Sequence, residues 1–351
     1  MNDLIGWDIG GAHVKACRTR EGKVLEVAQW ACPLWQSVSH LEVALQAARA
    51  RWPMDAGTHH AVTMTGEMVD LFEHREAGVQ GIASLLESGL PGALSFFAGD
   101  AGWCGPDRVA AHWEQIASAN WLATARHAAL ELGGEGLLLD IGSTTTDIIA
   151  FKDGRILTEA RTDVQRLAGG ELVYQGVVRT PLCALAPRIG WRGQQLNVMN
   201  EYFATVADVY RLTGELNPAH DLYPAADNAA KDLPATRKRL ARMIGMDARD
   251  ASDDAWLGFA REWRAAQLDE LASQARRVIE RHRLSSSRAI LVSAGCGDFV
   301  AAEVAAAAGL GTPRAYGRDI AARGAAPEIA DWAQVCAPSA AVALLRDREL
   351  R

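Results

Sequence analysis

The sequence has no run of 18 uncharged apolar residues and no excess of basic residues. A membrane-spanning helix needs about 20 apolar residues, so no membrane span is predicted. The net charge of −7 argues against nucleic acid as the main partner, because phosphate backbones are bound by basic surfaces. The segment from Met1 to Gly6 lacks the basic region and cleavage site of a signal peptide. We therefore expect a cytoplasmic protein.

Paired metal or disulfide motifs are also missing. The six cysteines are scattered without a CxxC pair, and the nine histidines form no HExxH spacing. This pattern favours reduced thiols and gives no cysteine or histidine metal centre. The 351 residues exceed one ordinary core, which predicts two lobes of about 100–200 residues each.

The most informative feature present is an internal repeat. An apolar run ending in Asp8-Ile9-Gly10 is echoed by an apolar run ending in Asp140-Ile141-Gly142, and the two aspartates lie 132 positions apart. Each copy is followed by a second apolar run and then by an acidic-Gly pair, Glu21-Gly22 or Asp153-Gly154, that is typical of a hairpin turn. A repeat of this length indicates a duplicated domain.

The alternation of strand and helix patterns predicts an α/β fold with two duplicated lobes, residues 1–130 and 131–351. The spacing of apolar residues predicts helices over 38–52, 116–132, 268–283, 300–308 and 337–348. A polar, mostly helical stretch at about 191–264 is interpreted as a subdomain inserted in the second lobe.

The two Asp-Ile-Gly bends predict an anion site. A glycine turn exposes backbone N–H groups without a Cβ to hold an anion away. Asp8 and Asp140 end their strands at these turns, where a carboxylate can hold Mg²⁺ or its waters against phosphate oxygens. Lys15 adds positive charge, and the run Ser143-Thr144-Thr145-Thr146 adds hydroxyl donors. The alternative, an ordinary strand-to-turn junction, is weakened by the second copy.

Three further segments carry candidate binding residues. The strand ending in Gly295-Cys296-Gly297-Asp298 points backbone N–H groups towards a ligand. Thr65 and Glu67 follow a strand end; Glu67 and Asp70 could instead be a solvated helix start. The third segment carries Gly169, Gly170, Glu171 and Arg179. Arg179 suits bidentate phosphate contacts, although a surface ion pair is the alternative.

These residues resemble the sugar-kinase, heat-shock chaperone and actin superfamily, which implies a two-lobed, duplicated ribonuclease-H-like fold. They are closer to its hydantoinase/oxoprolinase branch, whose second loop reads Asp-Ile-Gly-x-Thr-Thr-Thr-Asp. The whole chain is similar to the family of tetrahydromethanopterin-linked one-carbon transfer pathway proteins. That likeness rests on blocks spread along the chain: 63–67, 117–121, 172–174, 179–181, 202–205, 207–211 and 240–243.

The resemblance implies a condensing transferase of methanofuran or methylofuran synthesis. Such an enzyme joins an aminomethylfuran diphosphate to the phenol of a γ-glutamyl-tyramine or tyrosine derivative, forming an aryl ether and releasing pyrophosphate. By this resemblance, Asp8, Lys15, Asp140 and Asp147 would be catalytic, and Asp8 and Asp140 would hold Mg²⁺. The residues implied to contact phosphate or substrate are Gly10, Gly11, His13, Thr65, Glu67, Gly142, Ser143, Thr144, Thr145, Gly169, Gly170, Glu171, Arg179, Gly295, Gly297 and Asp298.

Two other functions stay open at this point. One is an ATP-dependent small-molecule kinase or a hydantoinase-like ATPase; the other is a nucleotide-switched binding protein. ATP is not favoured, because the third loop lacks the Gly-Gly-rich form that clamps adenosine in the kinases. The expected partners are therefore a phosphorylated furan and a phenolic acceptor, with no nucleic acid or membrane partner and the oligomeric state left open.

Overall fold

The computed structural model describes residues 3–351; Met1 and Asn2 of the N-terminal segment considered above lie outside them. The elements up to residue 132 are β1 (Leu4–Ile9), β2 (His13–Arg20), β3 (Lys23–Ala31), α1 (Ser39–Arg51), β4 (His59–Met64), α2 (Arg75–Gly89), β5 (Ala93–Phe97), β6 (Trp103–Cys104), α3 (Trp113–Ile116) and α4 (Asn120–Leu132). The elements from residue 135 to 213 are β7 (Glu135–Ile141), β8 (Thr146–Lys152), β9 (Arg155–Ile156), α5 (Asp163–Gly169), β10 (Leu172–Val173), α6 (Leu182–Leu185), β11 (Arg188–Trp191), β12 (Gln194–Asn197) and α7 (Val206–Thr213). The remaining elements are α8 (Leu233–Arg242), α9 (Asp253–Arg281), β13 (Ile290–Ala294), α10 (Ala301–Ala307), β14 (Arg314–Ala315), α11 (Pro327–Val335) and α12 (Ala337–Leu350).

The chain divides into two compact units. Unit 1 comprises residues up to 138, 149–165 and 314–351, and unit 2 comprises 139–148 and 166–313. The predicted lobe boundaries, 1–130 and 131–351, stay a prediction. Among the described residues, no helix is both long and apolar enough to cross a lipid bilayer.

The sheet of unit 1 carries the first Asp-Ile-Gly bend near its middle. Its strand order is β3-β2-β1-β4-β5-β6. Strands β1, β2 and β3 are antiparallel neighbours, whereas β4 pairs parallel to both β1 and β5. The carboxyl ends of β1 and β4 therefore lie at the same edge of the sheet, where parallel α/β sheets place their ligands.

The sheet that carries the second bend repeats this arrangement. Its strands include the neighbours β10-β8-β7-β13, and β9 pairs antiparallel with the end of β8. The predicted hairpin turns are confirmed, because Glu21 (φ 54°), Gly22 (φ 74°), Asp153 (φ 50°) and Gly154 (φ 77°) all have the positive φ of a type I′ turn. The predicted α/β class is confirmed by these mixed sheets and their helices.

The region from 191 to 264 in unit 2 alternates helices with long non-helical stretches, and its interpretation as an inserted subdomain stays a prediction. The short hairpin β11–β12 precedes α7 and α8, and α9 begins before the region ends. Thr205 and Asp208 form a capping box at the start of α7, which satisfies backbone N–H groups at both positions.

The core of unit 1 includes a buried polar pair. The indole N–H of Trp7 donates to Nδ1 of His60 over 3.1 Å, and Nε2 of His60 lies 2.9 Å from the carbonyl oxygen of Pro91. Burial lowers the pKa of His60 to about 4, so the ring is neutral near pH 7. A neutral ring that donates from Nε2 can accept from Trp7 at Nδ1, which fixes the ring between two strands.

Helix α12 packs against β1 at Gly6. A Cβ at Gly6 would lie 2.1 Å from the carbonyl oxygen of Ser339 and 2.7 Å from Cβ of Ala343. The alanine-rich sequence of α12 permits this approach, because small side chains let helix and strand backbones come close. The helix that closes unit 1 thus rests on the strand that carries Asp8.

We predict that Gly6→Ala lowers the free energy of unfolding by about 1–3 kcal/mol, the usual cost of overpacking a filled core. Gly258→Ala is the matched control. Gly258 lies inside α9, and apart from its chain neighbours and the nearby backbone of α9 no described residue comes within 4 Å of its Cβ position, so alanine there should stabilise by roughly 0.5–1 kcal/mol. Calorimetric melting of both variants checks the contrast. A Gly6→Ala protein as stable as the wild type would contradict the packing described.

Candidate functional site

The first bend, in unit 1, is closed by backbone hydrogen bonds. The N–H of Gly10 donates to the carbonyl of His13 over 2.9 Å, and the N–H of Thr65 donates to the carbonyl of Ile9 over 2.9 Å. A Cβ at Gly10 would lie 2.9 Å from that His13 oxygen. Glycine is therefore required at this position by the turn itself.

Asp8 is held at the end of β1 beside Lys15. The carboxylate is buried, with 5% of the residue exposed. Asp8 and Lys15 are paired in register across β1 and β2, and Nζ of Lys15 lies 3.9 Å from Oδ2 of Asp8. The carboxylate and the cation predicted for this bend are thus neighbours, and the ammonium group offsets the buried negative charge.

The second bend, in unit 2, has the same closure. The N–H of Gly142 donates to the carbonyl of Thr145 over 2.8 Å, and the N–H of Gly297 donates to the carbonyl of Ile141 over 2.8 Å. The first bond joins the residues 132 positions after Gly10 and His13, and the second uses the carbonyl 132 positions after that of Ile9. Asp140, buried at 7% exposure, occupies the place that Asp8 has in unit 1.

The third loop approaches the second bend more closely than any side chain allows. Gly295 has φ of +88°, and a Cβ there would lie 2.2 Å from the carbonyl oxygen of Ile141 and 2.6 Å from Oδ1 of Asp140. A Cβ at Gly297 would lie 2.4 Å from Cγ2 of Ile141. The Gly-x-Gly pattern therefore brings the backbone against the bend, and Asp298 begins the short helical turn that leads into α10.

Gly176, which was not predicted as a site residue, packs closely against the second bend. The N–H groups of Val177 and Val178 donate to the carbonyls of Gly142 (3.0 Å) and Ser143 (3.1 Å). A Cβ at Gly176 would lie 2.4 Å from the backbone nitrogen of Thr144. In a planar trans peptide the C=O and N–H point in opposite directions. The N–H groups of Ser143 and Thr144 therefore face away from the 177–178 segment, as an anion site requires.

Asp147 has a buried counter-ion. Arg166 of α5 donates to Oδ1 of Asp147, and both residues are buried. Arg166 was not predicted, because nothing in its own sequence surroundings marks a partner 19 residues away.

The Gly169-Gly170 pair ends α5 against α9. Gly170 has φ of +78°, and a Cβ there would lie 2.4 Å from Oε1 of Gln274. Glu171 is buried, and its Oε1 lies 2.9 Å from Nε2 of His282. His282 was not predicted, since no spacing rule links residues 111 positions apart.

Glu67 is enclosed in unit 1 rather than solvated. It is 1% exposed, and its Oε1 accepts from Ser118 (2.7 Å) and from Arg75 (3.0 Å). Its Oε2 has no hydrogen-bond partner within residues 3–351. Burial raises the pKa of this carboxyl group, although Ser118 and Arg75 act in the opposite direction. The solvated helix start considered for Glu67 is therefore wrong, whereas Asp70 is exposed.

The predicted residues fall into two sets, one in each unit. Unit 1 carries Asp8, Gly10, Gly11, His13, Lys15, Thr65 and Glu67. Unit 2 carries Asp140, Gly142, Ser143, Thr144, Thr145, Asp147, Gly169, Gly170, Glu171, Arg179, Gly295, Gly297 and Asp298.

The candidate residues suit a hard cation that takes most of its ligands from water and from substrate phosphate oxygens. In the described part of the chain, no group of three or more His, Cys, Asp or Glu side chains is placed to hold a metal ion. Mg²⁺ commonly takes one or two carboxylates and completes its shell with water and substrate phosphate oxygens. The single buried carboxylate at each bend fits that pattern, and the oxygen donors suit Mg²⁺ better than a softer metal.

The chain is similar to proteins of known name. Residues 58–328 match the sequence family described as Hydantoinase/oxoprolinase. A Methanocaldococcus jannaschii protein named (4-{4-[2-(gamma-L-glutamylamino)ethyl]phenoxymethyl}furan-2-yl)methanamine synthase is 29% identical over 282 residues, or 80% of this chain and 83% of that protein. A Methanococcus vannielii protein of the same name is 29% identical over 164 residues, or 47% of this chain and 72% of that protein.

A solved structure shows the fold. The nucleotide-free structure of acetone carboxylase aligns with a TM-score of 0.56 at 11% identity, covering 87% of this chain and 69% of that one. This likeness confirms the predicted two-lobed, actin-like α/β fold. The two synthases confirm the predicted family resemblance.

We predict that Gly295→Ala destabilises the protein more than Gly309→Ala. Both glycines have positive φ, but no described residue lies within 4 Å of the Cβ position of Gly309. Gly309→Ala should lower the free energy of unfolding only by the cost of placing alanine in the left-handed conformation, about 1–2 kcal/mol. Gly295→Ala should cost about 1–3 kcal/mol more, because the methyl group meets the Ile141 carbonyl. Equal losses in urea unfolding would show that the third loop is not pressed against the bend.

We predict that Glu67→Gln changes how stability depends on pH. A carboxyl group whose pKa is raised by folding stabilises the native state at low pH and loses that contribution as pH rises through its folded pKa. The variant should therefore gain stability relative to the wild type as the pH rises from 4.5, the ordinary pKa of a glutamate side chain, to neutral pH. Melting temperatures across this range measure the gain. Glu87→Gln, an exposed carboxylate of α2, controls for charge loss, and a gap independent of pH would refute the assignment.

Proposed function

Since the chain belongs to the hydantoinase/oxoprolinase family, we propose that it is the condensing transferase of a methanofuran or methylofuran pathway. The substrates are an aminomethylfuran diphosphate and the phenol of a γ-glutamyl-tyramine or tyrosine derivative. The name of the two archaeal relatives describes a phenoxymethyl furan, which is an aryl ether at a furfuryl carbon. That linkage, together with two glycine bends headed by aspartate, is what supports the proposal.

The reaction replaces one bond to the furfuryl carbon. The phenolic oxygen forms the new C–O bond, the bond to the diphosphate breaks with its electron pair leaving on pyrophosphate, and the phenolic proton is released. A furfuryl carbon ionises readily, because the furan oxygen delocalises the developing charge. The protein's main task is then to stabilise the departing diphosphate and to position the phenol.

Each bend supplies donors for phosphate oxygens. The N–H groups of Gly10 and Gly142 are used in turn closure, so these glycines contribute space rather than donors. The proposed donors are the N–H groups of Gly11, Ser143 and Thr144, with hydroxyl groups from the Ser143–Thr145 run. Lys15 contributes a positive charge beside Asp8. Mg²⁺ held by Asp8 or Asp140 would neutralise charge on the diphosphate.

The proposed partners follow from the same chemistry. The partners are small molecules, and the cytoplasmic location expected from the sequence stays a prediction. ATP has no step in this reaction.

The direct experiment mixes the purified protein with aminomethylfuran diphosphate, γ-glutamyl-tyramine and Mg²⁺. We expect the aryl ether and pyrophosphate in equal amounts, measured by mass spectrometry and a phosphate assay. Asp8→Asn and Asp140→Asn should each lower kcat by about 10²–10³-fold, the loss typical of one preorganised electrostatic group, with little change in melting temperature.

Asp254→Asn, an exposed aspartate of α9, is the matched control and should keep wild-type turnover. Absence of both products would overturn the proposal. Substrate-stimulated release of ADP from ATP would identify a kinase or ATPase instead.

A further inference from the structure

The backbone of Arg179 lies directly beside the second bend. Its backbone N–H donates to the carbonyl of Ser143 over 2.8 Å, next to the bond from Val178. The backbone position of Arg179 is therefore set by the bend that the proposed function assigns to diphosphate. Its side chain is half-buried.

A phenol ring lies at this guanidinium group. The guanidinium carbon of Arg179 is 6.0 Å from the centre of the Tyr223 ring, a distance typical of a cation–π contact. A second tyrosine of the same unit, Tyr202, is 55% exposed. Burial raises the pKa of Tyr202, Arg179 acts to lower it, and Asp208 acts to raise it. The protein thus already holds a phenol within reach of this cation.

A buried ion network fixes the segment that carries Tyr223. Arg211 donates to Asp221 over 2.6 Å, two residues before the tyrosine, and Arg239 donates to Asp227 over 3.0 Å, four residues after it. Both arginines also donate to the buried carboxylate of Asp208.

Ion pairs of this kind add little net stability, because desolvation offsets their attraction, but they specify one conformation. They hold an otherwise irregular turn in place, and Tyr223 with it.

A guanidinium group beside an aromatic ring, next to the proposed diphosphate site, suits one kind of ligand. Aromatic rings stack on a phenol, and a nearby cation favours its ionised form. A phenolate is a far better nucleophile than a phenol, so charge at this point would assist the attack on the furfuryl carbon. The same cation would not assist a furan ring that carries an amine.

We propose that Arg179 holds the phenolic oxygen of the acceptor as phenolate, with Tyr223 against the acceptor ring. The inference rests on the proposed function and deepens it. The phenol loses its proton to solvent, the phenolate oxygen attacks the furfuryl carbon, and the electron pair of the broken C–O bond leaves on pyrophosphate. Arg179 is then a catalytic residue, and Tyr223 selects an aromatic acceptor.

The turnover test varies the acidity of the acceptor. Fluorine beside the hydroxyl group of the tyramine ring lowers the phenol pKa, so a fluorinated acceptor needs less help from a cation. Arg179→Gln should lower kcat by about 10²–10³-fold with the plain acceptor, and the fluorinated acceptor should recover part of that loss. Tyr223→Leu should raise the KM for the acceptor up to about tenfold, as expected for loss of one aromatic contact. Arg192→Gln, which removes the exposed Arg192 next to Trp191, is the matched control. It should change neither kcat nor the KM for the acceptor.

A binding test separates this inference from the condensation itself. The ¹⁹F NMR shift of bound 3-fluorotyramine, followed against pH without any diphosphate, reports the pKa of the bound phenol. With the wild type, we expect the bound phenol to have a pKa below that of free 3-fluorotyramine. With Arg179→Gln, we expect no such lowering of the pKa. An unshifted pKa with the wild type overturns the inference whether or not ether is made. Equal losses with plain and fluorinated acceptors, or a loss confined to the KM of the diphosphate, would also overturn it. Failure of the proposed function appears separately, as no ether from the wild type.

Discussion

One contact recurs at both candidate sites and determines the geometry around it. The carbonyl of the isoleucine before the glycine turn accepts an N–H from the loop that follows a neighbouring strand: Thr65 to Ile9, and Gly297 to Ile141. Glycines lie at both approaches; the one at Gly295 excludes any Cβ, and the one at Gly66 is tight. A Cβ at Gly295 would meet the Ile141 oxygen at 2.2 Å, and one at Gly66 would meet the Ile9 oxygen at 3.2 Å. The turn is thereby held rigid, and the aspartate one residue earlier has a fixed place at the strand end.

This constraint connects fold and chemistry. A preorganised set of backbone donors stabilises a leaving anion without rearrangement during the reaction, which is why electrostatic preorganisation usually contributes most to catalysis. A protein with net charge −7 can still bind a diphosphate in this way, because the donors are backbone dipoles and a few nearby cations. Acceptor activation by Arg179 would place the second half of the reaction next to the same bend.

The sequence predicted the features that depend on local pattern. The Asp-Ile-Gly repeat, the two acidic-Gly hairpin turns and the Gly-x-Gly loop each leave a mark within a few residues, and the structure confirms these elements. The side-chain partners were not predictable. Arg166 at Asp147, Ser118 at Glu67 and His282 at Glu171 are joined over 19 to 111 positions, and no periodicity relates such residues. Gly176 was overlooked because its role appears only when its segment is seen against the 142–144 backbone.

The central claim is that the glycine bends bind a diphosphate as such rather than the tail of a nucleotide. Parallel calorimetric titrations with pyrophosphate and with ADP, both in Mg²⁺, measure this directly. We expect pyrophosphate to bind at least as tightly as ADP, since no contribution from adenosine is needed. Binding of ADP more than about tenfold tighter, a difference of about 1.4 kcal/mol, would contradict the account.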